Sequence, residues 1–290
     1  MKKGAIRIIR KLRLHGYEAL FAGGFVRDLI MGRKSEDIDI ATSALPDEVG
    51  QLFPGSIKTG ARFGVIQAPM YGRFYEVTTF RSDDMYLDGR RPVSVSFSGP
   101  RQDALRRDFT VNGMFYDPEE ERLIDFVGGR RDIRRKRIRT IGDPVKRFAE
   151  DKLRIMRAIR LSCSLEFTIV NETLTAIKQF APDITQVSRE RIRDELIKIL
   201  TGPHPDAGVR LLHECGLLPH IVPEIASRQY VKKLGYVRSG AEALARTIFA
   251  LSLLRKPSEA LAFAALLHTI VEPSAANGLP EKPAGTSLPI

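Results

Sequence analysis

The sequence contains few cysteines and no long apolar run. Cys163 and Cys215 are its only two cysteines and lie far apart, so they form neither a disulfide framework nor a thiolate metal site. This usage is typical of a reduced, cytoplasmic compartment. No segment approaches the length of a membrane span, and the basic start at Lys2 and Lys3 is followed by Arg7 without an intervening apolar core. We therefore expect neither a signal peptide nor a membrane partner.

Acidic residues are outnumbered by basic ones. Lys and Arg total 46, Asp and Glu total 35, and the formal net charge is +11 with a pI near 9.8. Such an excess favours a polyanionic partner, although a generally solvated basic surface is the alternative. The basic residues cluster at 130–139 and at 147–160. This clustering favours contact with phosphates.

The length of 290 residues suits about two domains, and no internal repeat is evident. Hydrophobic periodicity and turn residues predict an α/β head with a small mixed or antiparallel sheet, followed by an all-α remainder. The elements predicted in the head are helices at 5–15, 25–31 and 105–115, a helix from Pro46, strands at 19–22, 37–41 and 123–126, and a hairpin of 64–71 with 74–81. Beyond about Pro144 the apolar residues fall at helical spacing and strand signals largely vanish.

Asp37 and Asp39 alternate with Ile38 and Ile40. On a strand this alternation places both carboxylates on one face and both isoleucines on the other. Burying two like charges is costly unless a cation compensates, and carboxylate oxygens suit Mg²⁺. Glu76, on the neighbouring predicted hairpin, is a candidate third carboxylate; an exposed strand glutamate is the alternative. The pattern predicts a site for Mg²⁺ and a nucleoside triphosphate.

Two further motifs carry groups suited to phosphate. Gly24 stands at a strand-to-helix junction, where backbone N–H groups approach an anion, and Arg27 follows in the same helix. Arg106 and Arg107 precede Asp108, and adjacent helical residues face different ways. We therefore expect only Arg107 to point into the site, with Asp108 holding the local geometry. A simple tight turn and a surface ion pair are the alternatives.

Asp151 and Arg154 are three residues apart in a predicted helix, so their side chains are expected to be neighbours. Arg157 and Arg160 continue the basic stripe. An amphipathic helix with an internal salt bridge is one interpretation. The other is a base reader: adenine and cytosine both present an amino donor beside an unprotonated ring nitrogen, which matches a carboxylate and a guanidinium. The pair then selects ATP and CTP without a template.

These motifs, taken in order, resemble those of the class II tRNA nucleotidyltransferases, which include CCA-adding and A-adding enzymes with bacterial poly(A) polymerases as relatives. The resemblance runs from about residue 17 to about residue 225. The matching segments are 23–28, 37–39, 76–81, 106–110, 125–129, 150–154 and 190–192.

The resemblance implies a domain order and a set of site residues. The predicted domains are a nucleotidyltransferase-type catalytic head at 1–141, a helical base-reading and RNA-binding neck at 142–200, a shortened helical body at 201–271 and a disordered tail at 272–290. It assigns the metal to Asp37 and Asp39, and catalysis to these two with Glu76 and Arg107. The nucleotide-binding set it implies is Gly24, Arg27, Arg107, Asp151, Arg154, Arg157 and Arg160.

The same resemblance implies a hinge at Gly128-Gly129 and a flexible nucleotide-selecting loop at 82–92. It implies tRNA, ATP and CTP as partners and Mg²⁺ as cofactor. Thr269 follows His268 where relatives often carry His-Asp, so no phosphohydrolase site is expected. The sequence leaves open CCA addition against A addition, a poly(A) polymerase, a non-catalytic RNA-binding homologue, and the oligomeric state.

Overall fold

The structure is a computed structural model of the chain. The residues that it describes are 2–35, 37–83, 95–226 and 240–271. Most of the predicted loop at 82–92, and all of the predicted tail at 272–290, lie outside them.

The chain divides into two compact units, Met1–Leu196 and Ile197–Ile290. The predicted head and most of the predicted neck fall in the first unit. No helix among the described residues is long and apolar enough to cross a membrane.

Strands of the first unit alternate with short helices. The strands are β1 Ala19–Ala22, β2 Asp39–Thr42, β3 Ile57–Gly60, β4 Val65–Met70, β5 Arg73–Thr79, β6 Arg81–Asp83, β7 Val95–Phe97, β8 Phe115–Asp117, β9 Arg122–Ile124, β10 Arg137–Ile138 and β11 Thr168–Ile169. The helices are α1 Lys2–Leu14, α2 Gly23–Ile30, α3 Pro46–Leu52, α4 Pro100–Arg106, α5 Gly129–Arg134, α6 Pro144–Glu150, α7 Leu153–Leu165, α8 Asn171–Phe180 and α9 Arg189–Leu200.

Seven strands form one mixed sheet in the order β3-β4-β5-β2-β1-β8-β9. Its neighbours pair antiparallel except β2 and β5, which run parallel. The predicted hairpin is confirmed as β4 and β5. Phe80 and Phe115 pack edge to face at 5.7 Å in the core beneath the sheet, together with Leu20 and Ala104. A small mixed sheet with helices confirms the fold class predicted for this part of the chain.

Helix α6 begins at a residue that caps it. Asp143 caps α6 by accepting a hydrogen bond from the backbone N–H of Val145 at 2.9 Å, and Pro144 occupies the first turn. β11 pairs parallel with β10 of the predicted head, so the remainder that was predicted to be all-α contains one short strand, Thr168–Ile169. A strand of two residues is too short to show alternation.

The described residues of the second unit form helices, and their core contains Val209, Leu212 and Leu266. Its helices beyond α9 are α10 Pro205–Glu214, α11 Leu218–Ile221, α12 Pro223–Ala226, α13 Gly240–Ser252 and α14 Glu259–Val271. Thr269 is buried, and its hydroxyl lies 3.4 Å from that of Thr247.

Candidate active site

A cavity of about 430 Å³ opens in the first unit between the large sheet and α7. Most of the residues predicted for the site line it: Gly24, Asp39, Glu76, Arg107, Asp151, Arg154 and Arg157. We call its sheet side, with Asp39 and Glu76, the carboxylate wall. We call its other side, with Asp151, Arg154 and Arg157, the helical wall. Asp37, Arg27 and Arg160 are not among the residues that line the cavity.

Strand register brings the two carboxylates of the carboxylate wall together. Ile40 of β2 pairs with Val77 of β5, so the preceding residues, Asp39 and Glu76, are side by side on neighbouring parallel strands. Ile40 and Val77 are fully buried. Alternation along each strand therefore turns the isoleucine and valine into the core and the carboxylates toward the cavity.

These carboxylates are poorly neutralised. Burial, then the charges of Glu76 and Asp37, raise the pKa of Asp39 to about 6, and Arg107 opposes the shift. Desolvation and Asp37 likewise raise the pKa of Glu76. Within the described residues, neither side chain has a hydrogen bond or an ion pair. The arrangement therefore favours a cation at this wall.

Asp37 precedes the strand, because β2 begins at Asp39 rather than at the predicted residue 37. The burial alternation nevertheless extends back to it: Ile38 is 5% exposed, whereas Asp37 is exposed to solvent. Over the described ranges, no group of three or more His, Cys, Asp and Glu side chains is arranged to hold a metal.

Arg106 and Arg107 both line the cavity, so the expectation that only one of them faces the site is wrong. The predicted helix at 105–115 is also wrong, because α4 ends at Arg106 and Arg107 has an extended backbone (φ −67°, ψ 165°). Both arginines bind Asp103: Arg106 Nη2 lies 2.6 Å from Oδ1, and Arg107 Nη2 lies 2.8 Å from Oδ2.

Asp103 is fully buried beneath the two arginines. Burial alone would raise its pKa, but Arg107 and Arg106 outweigh burial and lower the pKa of Asp103 below its ordinary value. Arg107 also stands 5.1 Å over the ring of Phe115, as a cation–π contact. Two cationic groups are therefore held in fixed places at the cavity.

Gly23 requires its glycine. Its φ is +68°, and a Cβ there would stand 3.1 Å from Asp39 Oδ2 and 3.3 Å from Arg107 Nη1. Arg27 lies behind this turn, donating to Asp28 Oδ1 and to Asn112 Oδ1 at 2.8 Å each. Arg27 thus braces the cavity-lining Asn112.

The helical wall differs from its prediction because the helix is interrupted. Asp151 follows the end of α6 with an extended backbone, and α7 begins at Leu153, so Asp151 and Arg154 do not share a helix. Asp151 Oδ1 accepts from the Leu153 N–H at 3.1 Å, and Oδ2 accepts from Arg191 Nη2 at 2.8 Å. Arg154 donates to Glu150.

Two more arginines of α7 have carboxylate partners. Arg157 Nη2 lies 2.6 Å from Asp108 Oδ2. Burial of Asp108 would raise its pKa, but Arg157 outweighs burial and lowers the pKa of Asp108; in return Asp108 raises the pKa of Arg157. Arg160 Nε lies 2.7 Å from Glu195 Oε2. Asp108 therefore ties the segment after α4 to the helical wall.

Sequence reasoning did not assign Arg106, Asn112 or the buried Asp103. Asp103 had a readable signal, since it precedes the two arginines by three and four residues, which is one helical turn. Asn112 had none, because its bond to Arg27 spans 85 residues.

Two family models match this chain. Residues 19–139 match the poly(A) polymerase head domain, and residues 166–228 match the probable RNA- and SrmB-binding site of polymerase A.

Curated relatives are CCA-adding enzymes. The enzyme of Geobacillus stearothermophilus is 46% identical over 226 residues, covering 78% of this chain and 55% of the relative. That of Levilactobacillus brevis is 44% identical over 211 residues, covering 72% and 53%. The chain thus spans about half the length of the curated relatives that it matches.

Solved structures agree. The crystal structure of the Bacillus stearothermophilus CCA-adding enzyme in complex with CTP gives a TM-score of 0.71 at 38% identity, covering 92% of this chain and 69% of the other. The Thermotoga maritima CCA-adding enzyme complexed with tRNA has the same fold, with a TM-score of 0.64 at 22% identity over 92% of this chain and 65% of the other.

Proposed function

Because the chain belongs to the family of CCA-adding enzymes and poly(A) polymerases, we propose that it is a template-independent tRNA nucleotidyltransferase. It adds C and A, or A alone, from CTP and ATP to the 3′ end of tRNA and releases pyrophosphate. The single observation that supports this most is the cavity itself. One space joins unneutralised carboxylates, paired arginines and a carboxylate–guanidinium base reader. The cytoplasm is the compartment in which we place this reaction.

Members of this family generally use a divalent metal, and we propose Mg²⁺ on Asp37 and Asp39. The residues present fit such an ion, because Asp39 lies beside Glu76 on the neighbouring strand and its pKa is raised by burial and by the charges of Glu76 and Asp37, which a cation offsets. Mg²⁺ is commonly held by one or two carboxylates, with substrate phosphates and water completing its shell. When bound, the metal supplies charge neutralisation for the triphosphate and activation of the attacking ribose hydroxyl. Glu76 adds its negative charge to the same wall.

The remaining residues bind and orient the triphosphate and its base. Arg107 and Arg106, held by Asp103, pair with phosphate oxygens, and the backbone N–H groups at Gly24 donate from the helix start. Arg27 acts through Asn112. Arg157 extends the positive surface on the opposite side of the cavity.

The base is read by Asp151 and Arg154 on the helical wall. Asp151 uses one lone pair of each oxygen for Leu153 and Arg191, and a carboxylate oxygen has a second lone pair to accept from the amino group of adenine or cytosine. Arg154 donates to the unprotonated ring nitrogen. Arg160 lies off the cavity on Glu195, so we assign it to positioning α7.

Nucleotide incorporation tests this proposal. The protein is incubated with Mg²⁺ and tRNAs that end before CCA, after the first C or after CC, each with one labelled nucleotide. C and A added in order means CCA addition, and A added only to the CC end means A addition. A long untemplated A tract would instead establish a poly(A) polymerase. Binding of tRNA without any product would establish the non-catalytic alternative.

A further inference from the structure

A second groove in the first unit shares no lining residue with the nucleotide cavity. Its first half, of about 470 Å³, lies along β10 and β11 and is lined by Arg135, Arg137 and Arg139. Its second half, of about 410 Å³, is lined by Phe126 and its neighbours. Both halves include Arg139 and Glu172, so they are continuous. We call the whole the basic groove.

The β10–β11 pair arranges the arginines. Ile138 pairs with Ile169, and both are buried. Alternation along the extended chain therefore turns Arg137 and Arg139 to the opposite side, with Arg135 two residues earlier. Lys136 N–H donates to the Ile133 carbonyl, and Lys136 has a φ of +51°, so a tight turn fixes the start of this segment.

Among the described residues, one of the three groove arginines pairs with an acidic side chain and two do not. Arg139 is bound to the buried Asp132, at 3.2 Å from Oδ2. Arg135 and Arg137 are exposed and, in the part of the chain that the structure describes, their side chains form no hydrogen bond or ion pair. The arginines at the nucleotide cavity are different, because Asp103 and Asp108 already hold them. Glu172 is the one acidic residue among the described residues that line the basic groove.

The second half supplies an aromatic surface. Phe126 is 41% exposed and lies beside Val127 and Pro144 in the lining. Phe126 and Arg139 line the same half of the groove. An exposed aromatic ring combined with guanidinium groups is the means by which proteins bind single-stranded nucleic acid: phosphates pair with the cations and a base stacks on the ring.

We propose that the basic groove binds a strand of RNA, with phosphates at Arg135 and Arg137 and a base stacked on Phe126. It contacts a part of the RNA other than the 3′ end, because the end enters the nucleotide cavity. Backbone bonds from Thr110 N to Arg139 O and from Ile141 N to Asp108 O, both of 3.0 Å, place the groove behind the segment that lines the cavity. The identification of this RNA as tRNA rests on the proposed function.

The test compares two double variants of equal charge. Arg135→Gln/Arg137→Gln removes two groove cations, and Arg7→Gln/Arg73→Gln removes two exposed arginines elsewhere in the same unit. Affinity for a fluorescent tRNA ending in CC is measured over a KCl series. The groove variant should bind about tenfold more weakly, and its salt slope should fall by roughly 1.4–1.8. The control pair should lose less than about twofold, since only long-range charge changes.

Two single variants test the details. Phe126→Leu keeps an apolar side chain without the stacking ring, and it should weaken tRNA binding by roughly fivefold or more. Glu172→Gln removes the groove's acidic residue and should tighten binding about twofold. CTP affinity should stay unchanged in both variants, because neither residue lines the nucleotide cavity.

The outcomes separate this proposal from the proposed function. Equal losses in the groove and control pairs, with normal nucleotide transfer, would overturn the groove and leave the function standing. If tRNA binding depends on the groove arginines but the unaltered protein transfers no nucleotide, the groove stands and the proposed function is overturned. If the unaltered protein binds no tRNA at all, both proposals fail.

Discussion

The two walls of the nucleotide cavity treat charge in opposite ways. On the carboxylate wall Asp39 and Glu76 lie side by side, and within the described residues neither side chain has a hydrogen-bond or ion-pair partner. On the helical wall Asp151 is bound by Arg191, and Arg157 is bound by Asp108. The first wall is electrostatically incomplete without a cation, whereas the second is complete before any ligand arrives.

This difference separates reaction from recognition. On the carboxylate wall, burial and the repulsion between carboxylates raise the pKa of Asp39, and a bound cation offsets both effects. A wall whose groups are already hydrogen-bonded holds them in one geometry, which is what discrimination between bases requires. Substitutions on the two walls should therefore change stability in opposite directions.

The largest effect is expected on the carboxylate wall. Asp39→Asn keeps the shape but removes a charge, so nucleotide transfer should fall more than about 10³-fold. The metal-free protein should nevertheless become more stable, by roughly 1–3 kcal/mol, because the burial of this charge and its repulsion with Glu76 and Asp37 are gone. Single-turnover incorporation and urea unfolding measure the two quantities. Retained transfer, or a loss of stability, would contradict the comparison.

The opposite sign is expected for Asp108→Asn. It leaves the guanidinium of Arg157, whose side chain is 38% exposed, without the counter-charge of the buried Asp108, which should cost about 1–2 kcal/mol of unfolding free energy. The pKa of Asp108 is lower in the folded protein than in the unfolded chain, where it is near 4. The stabilisation that Asp108 contributes to the folded protein is therefore complete above the unfolded pKa and is lost as pH falls through the lower folded pKa. Urea unfolding followed from neutral to acid pH should show a smaller acid-dependent loss in the variant than in the unaltered protein.

A smaller effect is expected on base choice. Asp151→Asn should reduce the preference for ATP and CTP over GTP and UTP by about ten- to a hundredfold, because an amide donates as well as accepts. Competition between labelled nucleotides on one tRNA measures it. Asp194→Asn, an exposed acid of α9 paired with Arg193, is the matched control and should leave selectivity unchanged.

The smallest effect concerns Mg²⁺ and pH. Unfolded Asp39 ionises near 3.8 but the folded carboxyl has a pKa of about 6, so the metal-free protein loses stability as pH rises between these values. Mg²⁺ should raise the melting temperature by a few degrees at about pH 7.5, and by less at about pH 5, where a proton must first leave. In the Asp39→Asn variant, the Mg²⁺-induced change in melting temperature should no longer differ between the two pH values. An identical change at both pH values in the unaltered protein would contradict this explanation.

Several parts of this molecule were readable from sequence because their signals are local. The hairpin of β4 and β5, strand β1 and the burial of Ile38 and Ile40 follow from alternation and turn residues. The family resemblance is confirmed by the comparisons.

Features that depend on distant pairs could not be read in this way. The break at Asp151 involves Arg191, forty residues later, and the basic groove needs β10 to pair with Thr168–Ile169. The end of α4 at Arg106, after which Arg107 has an extended backbone, was also not predicted. The roles assigned to the site residues remain predictions, which the experiments above test. The four predicted domains also remain predictions.

One carboxylate of the helical wall has two duties. Asp151 accepts from the N–H of Leu153, the first residue of the helix that carries Arg154, and we assign it to the base as well. Recognition and helix initiation therefore share a single side chain. A lineage that drifted toward other nucleotides at this position would also have to rebuild the start of α7, so few mutational routes to altered specificity pass through Asp151.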